Sequence, residues 1–424
     1  AVFATAQVGY KEAAFLDLSA RNDWSSALAF TESCSFFYPS VGASVLLNKF
    51  VGMGKNVDLF KFRASYSIVG NDVPIYMSNL RYTLGGAGAI SAPDKAPFRT
   101  LKPEKTHSFE VGFDGAFFQN RLNVAFTYYK TNTKNQFFSV SAPYESGLRN
   151  RYVNAGNVQN SGFEFSAGWY QTFNDDFSWT TNFNISYNEN TIKELVEGLA
   201  NGLTIASWSG AKIILKEGGS YGDLYVRQIK RDDSGKPVKN DKGEPIVLGD
   251  SNNEMKYAGN MNAKVNFGWS NAFHYKDFTL SLLIDGRVVS GTEAALDGWG
   301  VSKRSGDARD AGKVVVDGVE FDPQAWYSTV GSSNFNSPYA TEFYVYKGTN
   351  VRLREVSLGY TFRNLFGNGK NLTAALIARN LLFFYKDAPC DPDVSMGTGN
   401  GVQGIDIFNL PSSRSMGLNL KLNF

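Results

Sequence analysis

The sequence predicts an all-β fold, an antiparallel transmembrane β-barrel of which this chain supplies part of the wall. One observation is the strict alternation of residues 413–424, which places Leu418, Leu420, Leu422 and Phe424 on one face of a strand. A second is that the alternation recurs in segments of about ten residues, the length with which a tilted strand crosses the hydrocarbon layer. A third is that short and long connections alternate between these segments, as in bacterial barrels.

The composition agrees with this fold class. Aromatic residues make up 14% of the 424 residues and glycine contributes 42, yet the mean hydropathy is −0.25. Alternating strands give such an average because only one of their faces is apolar, and the apolar runs of about 18 residues that a membrane helix needs are missing. The net charge of +2 gives no indication of nucleic-acid binding. Two cysteines, Cys34 and Cys390, exclude a disulfide framework and leave one bridge open.

About thirteen strands are predicted, with boundary errors of about two to four residues. They are expected at 1–10, 13–21, 36–48, 58–68, 106–118, 121–131, 158–172, 177–188, 259–274, 277–289, 349–362, 371–382 and 413–424. No signal-peptide pattern precedes the first strand. An unpaired strand edge in lipid leaves backbone groups unsatisfied, so we expect an upstream segment or another chain to complete the wall.

The connections between the strands fix an expected orientation. Short turns are predicted at 11–12, 119–120, 174–176 and 276, with somewhat longer turns at 49–57 and 363–370. Bacterial barrels place short turns in the periplasm and long loops outside the cell, which predicts a periplasmic carboxy terminus. The predicted extracellular loops are 22–35, 69–105, 132–157, 189–258, 290–348 and 383–412.

The two faces of each strand differ in polarity. Phe109, Val111 and Phe113 alternate with Glu110 and Asp114. Carboxylates cannot face lipid cheaply, so we expect the polar face to be wet or filled by protein. A soluble sandwich would instead bury its apolar face against a second sheet. Aromatic residues near strand ends fit interfacial girdles or ordinary cross-strand packing: Trp24, Trp169, Trp179, Trp269 and Tyr275.

Neither enzymatic chemistry nor a bound cofactor is expected. The only imidazole groups are His107 in the apolar register and His274 in the polar one, and no base and orienting group accompanies either of them. Two acidic loop stretches offer calcium as an alternative, but neither has EF-hand spacing. Their acidic residues are Asp232, Asp233, Asp241 and Glu244, and Asp387, Asp391 and Asp393. The stretches 233–236 and 241–244 fit hairpin turns more simply.

An ordered set of phrases resembles the SusC/RagA family of TonB-dependent outer-membrane transporters along nearly the whole chain. The phrases are NDWSS at 22–26, FYPS at 37–40, FRASY at 62–66, VGN at 69–71, LKPEK at 101–105, NVQNSGFE at 157–164, VRLREVSLGY at 351–360 and ARNL at 378–381. The resemblance implies that residues 1–424 form the carboxy-terminal part of a barrel of the 22-stranded type. It also implies that the plug domain and the TonB box lie outside this chain.

The resemblance implies partners and a location as well. These are the outer membrane of a Gram-negative bacterium, the TonB–ExbB–ExbD complex acting through the amino-terminal region, a SusD-like surface lipoprotein over the mouth, and a dimer of such pairs. Nutrients of the family are oligosaccharides or peptides. Candidate groups for binding substrate or facing the plug are Glu110, Asp114, Glu164, Asp285 and Arg287, together with the loop aromatics Trp208, Trp299 and Trp326. The loop aromatics fit packing between loops or against the lipoprotein equally well.

Three functions therefore compete. Active, TonB-dependent import of a glycan or a peptide leads, because the ordered phrases support it. A passive porin is the second, and a plug and TonB box would exclude it. A barrel with another task, an enzyme or a scaffold, is the third. The scarcity of histidine argues against the enzyme, and the family phrases argue against the scaffold.

Overall fold

The structure is a computed structural model. It describes residues 1–29, 34–72, 82–91, 95–96, 102–141, 150–154, 156–195, 202–208, 210–288, 294–297, 312–330, 340–365, 367, 369–388, 391–394, 404–406 and 410–423. Its main feature is a thirteen-stranded sheet in which every strand lies beside the next sheet strand along the chain. The strands are β1 (Val2–Tyr10), β2 (Ala14–Trp24), β3 (Ser35–Leu46), β4 (Val57–Asn71), β5 (Glu104–Phe117), β6 (Leu122–Lys134), β7 (Asn157–Asn174), β8 (Phe177–Glu194), β9 (Val265–Tyr275), β10 (Phe278–Val288), β11 (Asn350–Phe362), β12 (Asn371–Lys386) and β13 (Ser415–Asn423).

All thirteen predicted strands are present, and their short and long connections alternate as predicted. Two boundaries were wrong by more than four residues. The strand predicted at 177–188 continues to Glu194, and the strand predicted at 259–274 begins at Val265, because Lys256–Asn260 pairs in a separate loop sheet. Met261 closes that loop sheet, since its N–H donates to the Gly222 carbonyl and its side chain is buried. Phe424 lies outside the described residues.

Several strands continue beyond the predicted membrane-spanning length. β8 reaches Glu194 and β12 reaches Lys386. The extended end of β8 is held by side-chain amides: Asn188 and Asn190 both donate to Oδ1 of Asn160, at 3.3 and 2.9 Å. The added residues of β8 are mostly polar, whereas those of β12 are Phe383, Phe384, Tyr385 and Lys386, so backbone pairing continues past the predicted strand ends whatever the side-chain polarity.

The chain divides into two compact units, residues 1–171 with 182–200 and residues 172–181 with 201–424. In the first unit, directly paired residues share a face, and the faces have opposite polarity. One row of the apolar face is Val8, Leu16, Ala43, Ala64, Val111, Tyr128 and Phe163. The adjacent row of the polar face is Gln7, Asp17, Gly42, Ser65, Glu110, Tyr129 and Gly162. The predicted alternation is therefore confirmed.

Aromatic rings pack across strands on the apolar face. Phe60, Phe113 and Phe126 form consecutive stacks with centroid separations of 5.7 and 5.9 Å, and Phe163 continues the series at 6.2 Å from Phe126. Such cross-strand pairs each stabilise a sheet by about 0.2–1 kcal/mol.

The second unit repeats the division. An apolar row contains Phe273, Leu280, Leu358, Leu376 and Leu418, and a polar row contains His274, Thr279, Gly359, Ala375 and Asn419. Trp179 stacks on Phe273 with the ring planes 7° apart, and the indole of Trp269 donates to Thr181. The girdle aromatics therefore take part in cross-strand contacts.

The tight turns have the backbone that their predicted length requires. Lys11 and Glu12 have φ of 51° and 48°, and the Ala13 N–H donates to the Tyr10 carbonyl at 3.0 Å. Positive φ at both central residues matches the right-handed twist of the flanking strands. Between β7 and β8 the turn is held by Asn174, whose Oδ1 accepts from the N–H groups of Asp176 and Phe177.

The long connections contain folded elements that the sequence did not predict. The largest is a four-stranded loop sheet of Leu203–Trp208, Ala211–Leu215, Asp223–Val226 and Lys256–Asn260. Among the described residues, an α-helix, α1 (Pro323–Val330), begins with Asp322 accepting from the Ala325 N–H at 3.0 Å. The other short strands are Thr83–Leu84, Ile90–Ser91, Lys95–Ala96, Phe137–Ser141, Asn150–Asn154, Gln228–Ile229, Val247–Leu248, Ala294–Asp297, Val314–Val316, Val319–Phe321, Val345–Lys347 and Ile405–Asp406. The 3-10 turns in the described ranges are Ser26–Leu28, Leu47–Lys49, Gly86–Gly88 and Thr341–Tyr344.

No helix in the described part of the chain has the length and apolar character needed to cross a membrane.

Candidate functional site

The polar face of the first unit carries a shallow pocket of about 200 Å³ between β2, β3, β4 and β5. Four charged side chains line it: Asp17, Lys61, Arg63 and Glu110. Gly42 also lines the pocket, where a Cβ would make only ordinary contacts, 3.8 Å from the Asp17 Cβ and 3.9 Å from the Ser65 Cβ. The pocket therefore exposes both acidic and basic side chains on the polar face of the sheet.

Arg63 is the central cation of this surface. Its Nε lies 3.4 Å from Oδ2 of Asp114, and its guanidinium also donates to the Thr127 hydroxyl. Both charged side chains are about one-third exposed, at 32% and 34%. Glycine is required at Gly112 chiefly by the backbone, since a Cβ there would collide with the Phe126 carbonyl oxygen, and it would also lie 3.2 Å from the Arg63 guanidinium. Asp114 thus belongs to an ion pair, which the sequence did not predict.

The two predicted glutamates occupy the same face. Glu110 pairs with Ser65 and with Tyr129 across the sheet, and the Ser108 hydroxyl donates to it at 3.4 Å. Glu164 is exposed and pairs with Thr127. The structure therefore brings Glu110 into the pocket and leaves Glu164 beside it, in the row of Arg63.

A second charged cluster lies in the second unit, where β10 and β11 meet the connection 387–414. Asp285 accepts from Nε of Arg352 and from Nε of Arg354, both at 2.9 Å. Both arginines also bind Asp393. Arg352 is buried, with 3% of its side chain exposed. The predicted site residue Asp285 is therefore the wall partner in a four-residue network.

The network depends on a β-bulge in β11. Leu283 pairs with Glu355 and Ile284 pairs with Leu353, which leaves Arg354 as the extra residue. The bulge lets Arg352 and Arg354 converge on one carboxylate and reverses which residues of β11 face the polar side. The alternation of residues does not predict this bulge, although both arginines belong to the VRLREVSLGY segment at 351–360.

Two opposing effects act on the pKa of Asp393. Burial raises the pKa of Asp393, while the nearby Arg354 and Arg287 guanidinium groups lower it. Arg287, the fifth predicted charged residue, thus lies in the electrostatic field of the same cluster. Asp391 fixes the adjacent segment by accepting from the Ser412 N–H at 3.0 Å. The cluster fastens residues 391–393 to the wall.

The three predicted loop tryptophans have different positions. Trp326 on α1 is 5% exposed and packs against Phe321 and Phe343, with ring centroids at 4.8 and 5.3 Å. Trp208 ends a strand of the loop sheet, and its side chain is outside the described set. Trp299 lies outside the described residues. The placement of Trp326 corresponds to the packing alternative, and the binding role of all three stays a prediction.

Glu342 is a loop residue that the sequence did not single out. Its side chain is 5% exposed, and its carboxylate binds Lys256 at 2.8 Å, Arg231 at 3.1 Å and the Ile229 N–H at 2.8 Å. A buried carboxylate needs such partners to offset its desolvation. Glu342 therefore ties three separate stretches of the loops together, and no local sequence pattern indicates it.

An aromatic pair on the loop sheet was also missed. Tyr225 and Tyr257 meet edge to face at 5.6 Å, and the Lys216 ammonium lies 4.5 Å from the centre of the Tyr225 ring. Tyr257 remains 51% exposed. Burial and the neighbouring Asp223 carboxylate raise the pKa of Tyr257 to about 12. An exposed ring beside a polar group is a surface on which a ligand can stack.

Catalytic and metal chemistry find little support among the described side chains. His107 Nδ1 lies 2.8 Å from the Tyr66 hydroxyl, and His274 Nδ1 lies 3.0 Å from the Thr279 hydroxyl. In the described ranges, no group of three or more Asp, Glu, His or Cys side chains is arranged to hold a metal ion. The absence of enzymatic activity and of a cofactor stays a prediction. Cys34 is a free, exposed thiol, and Cys390 is outside the described ranges.

The hairpin-turn interpretation of the acidic loop is confirmed. Oδ1 of Asp232 accepts from the N–H groups of Ser234 and Lys236, both at 2.9 Å. Oδ1 of Asn240 accepts in the same way from Lys242 and Glu244. These side chains replace strand hydrogen bonds within their turns.

A sheet with one aromatic, aliphatic face and one charged face, joined by alternately short and long connections, is the wall of a membrane β-barrel. The chain belongs to the family described as TonB dependent receptor-like, beta-barrel, whose model matches residues 1–381. The resemblance to the SusC/RagA family is thereby supported across most of the chain.

Individual relatives agree with the family assignment. TonB-dependent receptor P3 of Formosa agariphila is 27% identical over 470 residues, covering 99% of this chain and 45% of that protein. TonB-dependent receptor SusC of Bacteroides thetaiotaomicron is 24% identical and covers 84% of this chain and 36% of its own length. The chain thus spans less than half the length of these curated relatives.

Solved structures give the same fold. The RagAB peptide transporter matches with a TM-score of 0.74 at 20% identity, covering 100% of this chain and 47% of the other. The RagAB peptide importer in its closed-closed state matches with a TM-score of 0.72 at 21% identity, covering 100% and 47%. At these identities the likeness establishes the fold, a partial barrel wall of this receptor type.

Proposed function

We propose that the chain is part of the wall of a SusC-like outer-membrane transporter that imports a nutrient with energy delivered through TonB. The observation that carries the proposal is the family match over residues 1–381, on a sheet with one lipid-compatible face and one charged face. Residues outside this chain supply the plug, the TonB box and the remaining wall. The long connections face the outside of the cell and the short turns face the periplasm.

The polar face then lines the lumen. Arg63, Asp114 and Glu110 are placed to contact the plug or a passing solute, because a charged surface of mixed sign suits hydrogen-bonding partners. The cluster of Asp285, Arg352, Arg354 and Asp393 holds a connection at the mouth. A SusD-like lipoprotein covers that mouth, and two such pairs associate as a dimer.

The substrate is an oligosaccharide or a peptide. RagAB is a peptide transporter, which supports the peptide class, whereas the oligosaccharide class rests on the resemblance to the SusC/RagA family. The test is uptake by cells that carry the whole protein, with labelled oligosaccharides and labelled peptides supplied separately. Accumulation of one class that stops when TonB is deleted supports active import and names the substrate.

A passive porin is the second candidate, since an aqueous lumen also explains the charged face. In the same assay, uptake that continues at an unchanged rate without TonB favours the porin. Purification of the native protein from outer membranes tests the partner, because a SusD-like lipoprotein should remain bound in mild detergent. Its absence from cross-linked preparations would remove that part of the proposal.

A further inference from the structure

The apolar face of the first unit carries basic side chains at one place only among its described paired rows. Lys105 pairs with Lys134, His107 pairs with Asn132, and Phe109 pairs with Lys130. Directly paired residues share a face, so all of these side chains lie on the face of Val111 and Phe113. We call Lys105, His107, Lys130 and Lys134 the basic patch.

No acid balances the basic patch within the four neighbouring strands. On β4 the facing residues are Gly70, Ile68 and Tyr66, and on β7 they are Asn157, Gln159 and Ser161. The nearby acids Glu104 and Glu110 stand in the alternate register, on the polar face. Among the described side chains, none of the three lysines has an ion-pair partner.

The patch lies immediately beyond the lipid-facing aromatic rows. The next row toward the membrane centre holds Tyr128 and Phe163, and the row after it holds Phe113 and Phe126. One row corresponds to two residues, or about 7 Å along a strand. A cation at this height meets the headgroup region, where lysine stems cover apolar surface and their ammonium groups reach polar partners.

Other parts of the same face lack such charges. At the same end of β1–β3 the paired residues are Ala4, Ala20 and Pro39. In the second unit, the described pairs at the long-connection end are Phe267 with Gly286 and Trp269 with Ile284. In β8 of the first unit, Glu189 and Lys193 follow in the register of Tyr187, one acid and one base. The excess of positive charge is therefore local to β5 and β6.

We propose that the basic patch is a binding site for a phosphorylated lipid headgroup of the outer leaflet. The positive charge of the basic patch favours an anionic ligand. Because the patch adjoins the lipid-facing aromatic rows, we expect that ligand to carry acyl chains. Lys105, Lys130 and Lys134 bind the phosphates, while Tyr128 and Phe163 contact the upper part of the chains. The inference rests on the proposed outer-membrane location and on the long connections facing outward.

The test uses the whole transporter, purified from outer membranes, with the triple variant Lys105→Gln/Lys130→Gln/Lys134→Gln. The matched control is Lys11→Gln/Lys49→Gln/Lys55→Gln, which removes the same charge at the short-turn end of the same unit. Native mass spectrometry measures binding of three probes: bisphosphorylated lipid A, dephosphorylated lipid A and inorganic phosphate. Outer-membrane insertion and solute uptake are measured for every variant.

The triple variant is expected to lose about 100-fold in affinity for bisphosphorylated lipid A, since each lysine near an anionic lipid surface contributes about fivefold. The control should keep wild-type affinity. If the triple variant does not insert, Lys130→Gln alone, at an exposed position, should still lose about fivefold.

Equal retention of the lipid by the triple variant and the control would overturn the proposal. So would equal binding of dephosphorylated lipid A, or binding of inorganic phosphate that is as tight as that of the lipid. These outcomes concern the patch alone when insertion and uptake are normal. If the wild-type protein itself failed to insert into outer membranes or to take up solute, that result would contradict the proposed function instead.

Discussion

Arg352 is an almost fully buried arginine that pairs with two carboxylates. Its guanidinium lies between Asp285 and Asp393, with 3% of the side chain exposed. Removing one member of a buried ion network leaves the opposite charges without compensation, which costs about 3–5 kcal/mol. The network therefore makes the attachment of residues 391–393 to the wall sensitive to one substitution.

Arg352→Met should destabilise that attachment by about 3 kcal/mol. Hydrogen exchange of the amides near Asp393 is the measurement, because the segment should open without unfolding the strands. The control is Arg363→Met, which removes an exposed pair with Asp277 and should change exchange by less than about 1 kcal/mol. Equal effects of the two substitutions would show that the buried network does not hold the segment.

Tyr257 provides a pH test on the loop sheet. Burial and Asp223 raise its pKa to about 12, whereas an unfolded phenol ionises near about 10. The Tyr257 phenol therefore stays protonated to a higher pH in the folded state than in the unfolded state. Its contribution to loop stability is complete below about pH 10 and is lost as the pH rises toward 12.

Difference absorbance of the phenolate, wild type minus Tyr257→Phe, should therefore titrate near pH 12. Asp223→Asn should move the midpoint downward, because it removes the nearby negative charge. A midpoint at the ordinary tyrosine value in the wild type would contradict the described packing of Tyr225 and Asp223 against this ring.

At the scale of elements, the loops behave as small folded bodies. Helix α1 packs Trp326 and Val330 onto Phe321 from the adjacent hairpin. A separate cluster joins Ile213, Leu224 and Met261 of the loop sheet region with Ile405. Elements distant in sequence therefore share cores, and Glu342 links them by charge.

Glu342→Gln should weaken the loop assembly by about 2 kcal/mol, since hydrogen bonds to a charged partner contribute about 1.5–3 kcal/mol. Limited proteolysis should cut the stretch around Arg231 sooner in this variant. The matched control, Glu320→Gln, loses an exposed pair with Lys313 and should leave the cleavage rate within about twofold. Faster cleavage in the control would indicate a general effect of lost charge.

The whole molecule is organised by the opposition of its two sheet faces. Phe126 and Ala125 are neighbours on β6, yet Phe126 pairs with Phe113 on the apolar face and Ala125 pairs with Asp114 on the polar face. Register alone decides which of the two meets lipid, because a shift of one residue exchanges the faces.

Phe126→Arg should reduce outer-membrane insertion strongly, because arginine on the lipid face costs about 2–4 kcal/mol near the midplane. Ala125→Arg should insert at close to the wild-type level, since its side chain gains Asp114 as a partner. Insertion is measured as heat-modifiable mobility of the membrane fraction. Reversed behaviour of the two variants would assign the faces the other way round.

The sequence by itself determined the wall. The thirteen strands, their alternating faces, the tight turns and the family follow from local signals, because the period of two and the turn residues are written in neighbouring positions. It also placed Glu110 and Asp114 in the first unit and Asp285 in the second on strands whose polar face the structure confirms. Their roles in binding remain predictions.

The tertiary structure alone decided the charged networks and the folded loops. Arg63 meets Asp114, Arg352 meets Asp393, and Glu342 meets Lys256 across long stretches of sequence. The bulge at Arg354 and the start of β9 at Val265 also depend on pairing with distant strands. Such contacts have no local period, because their free energy comes from groups that only the folded chain brings within bonding distance.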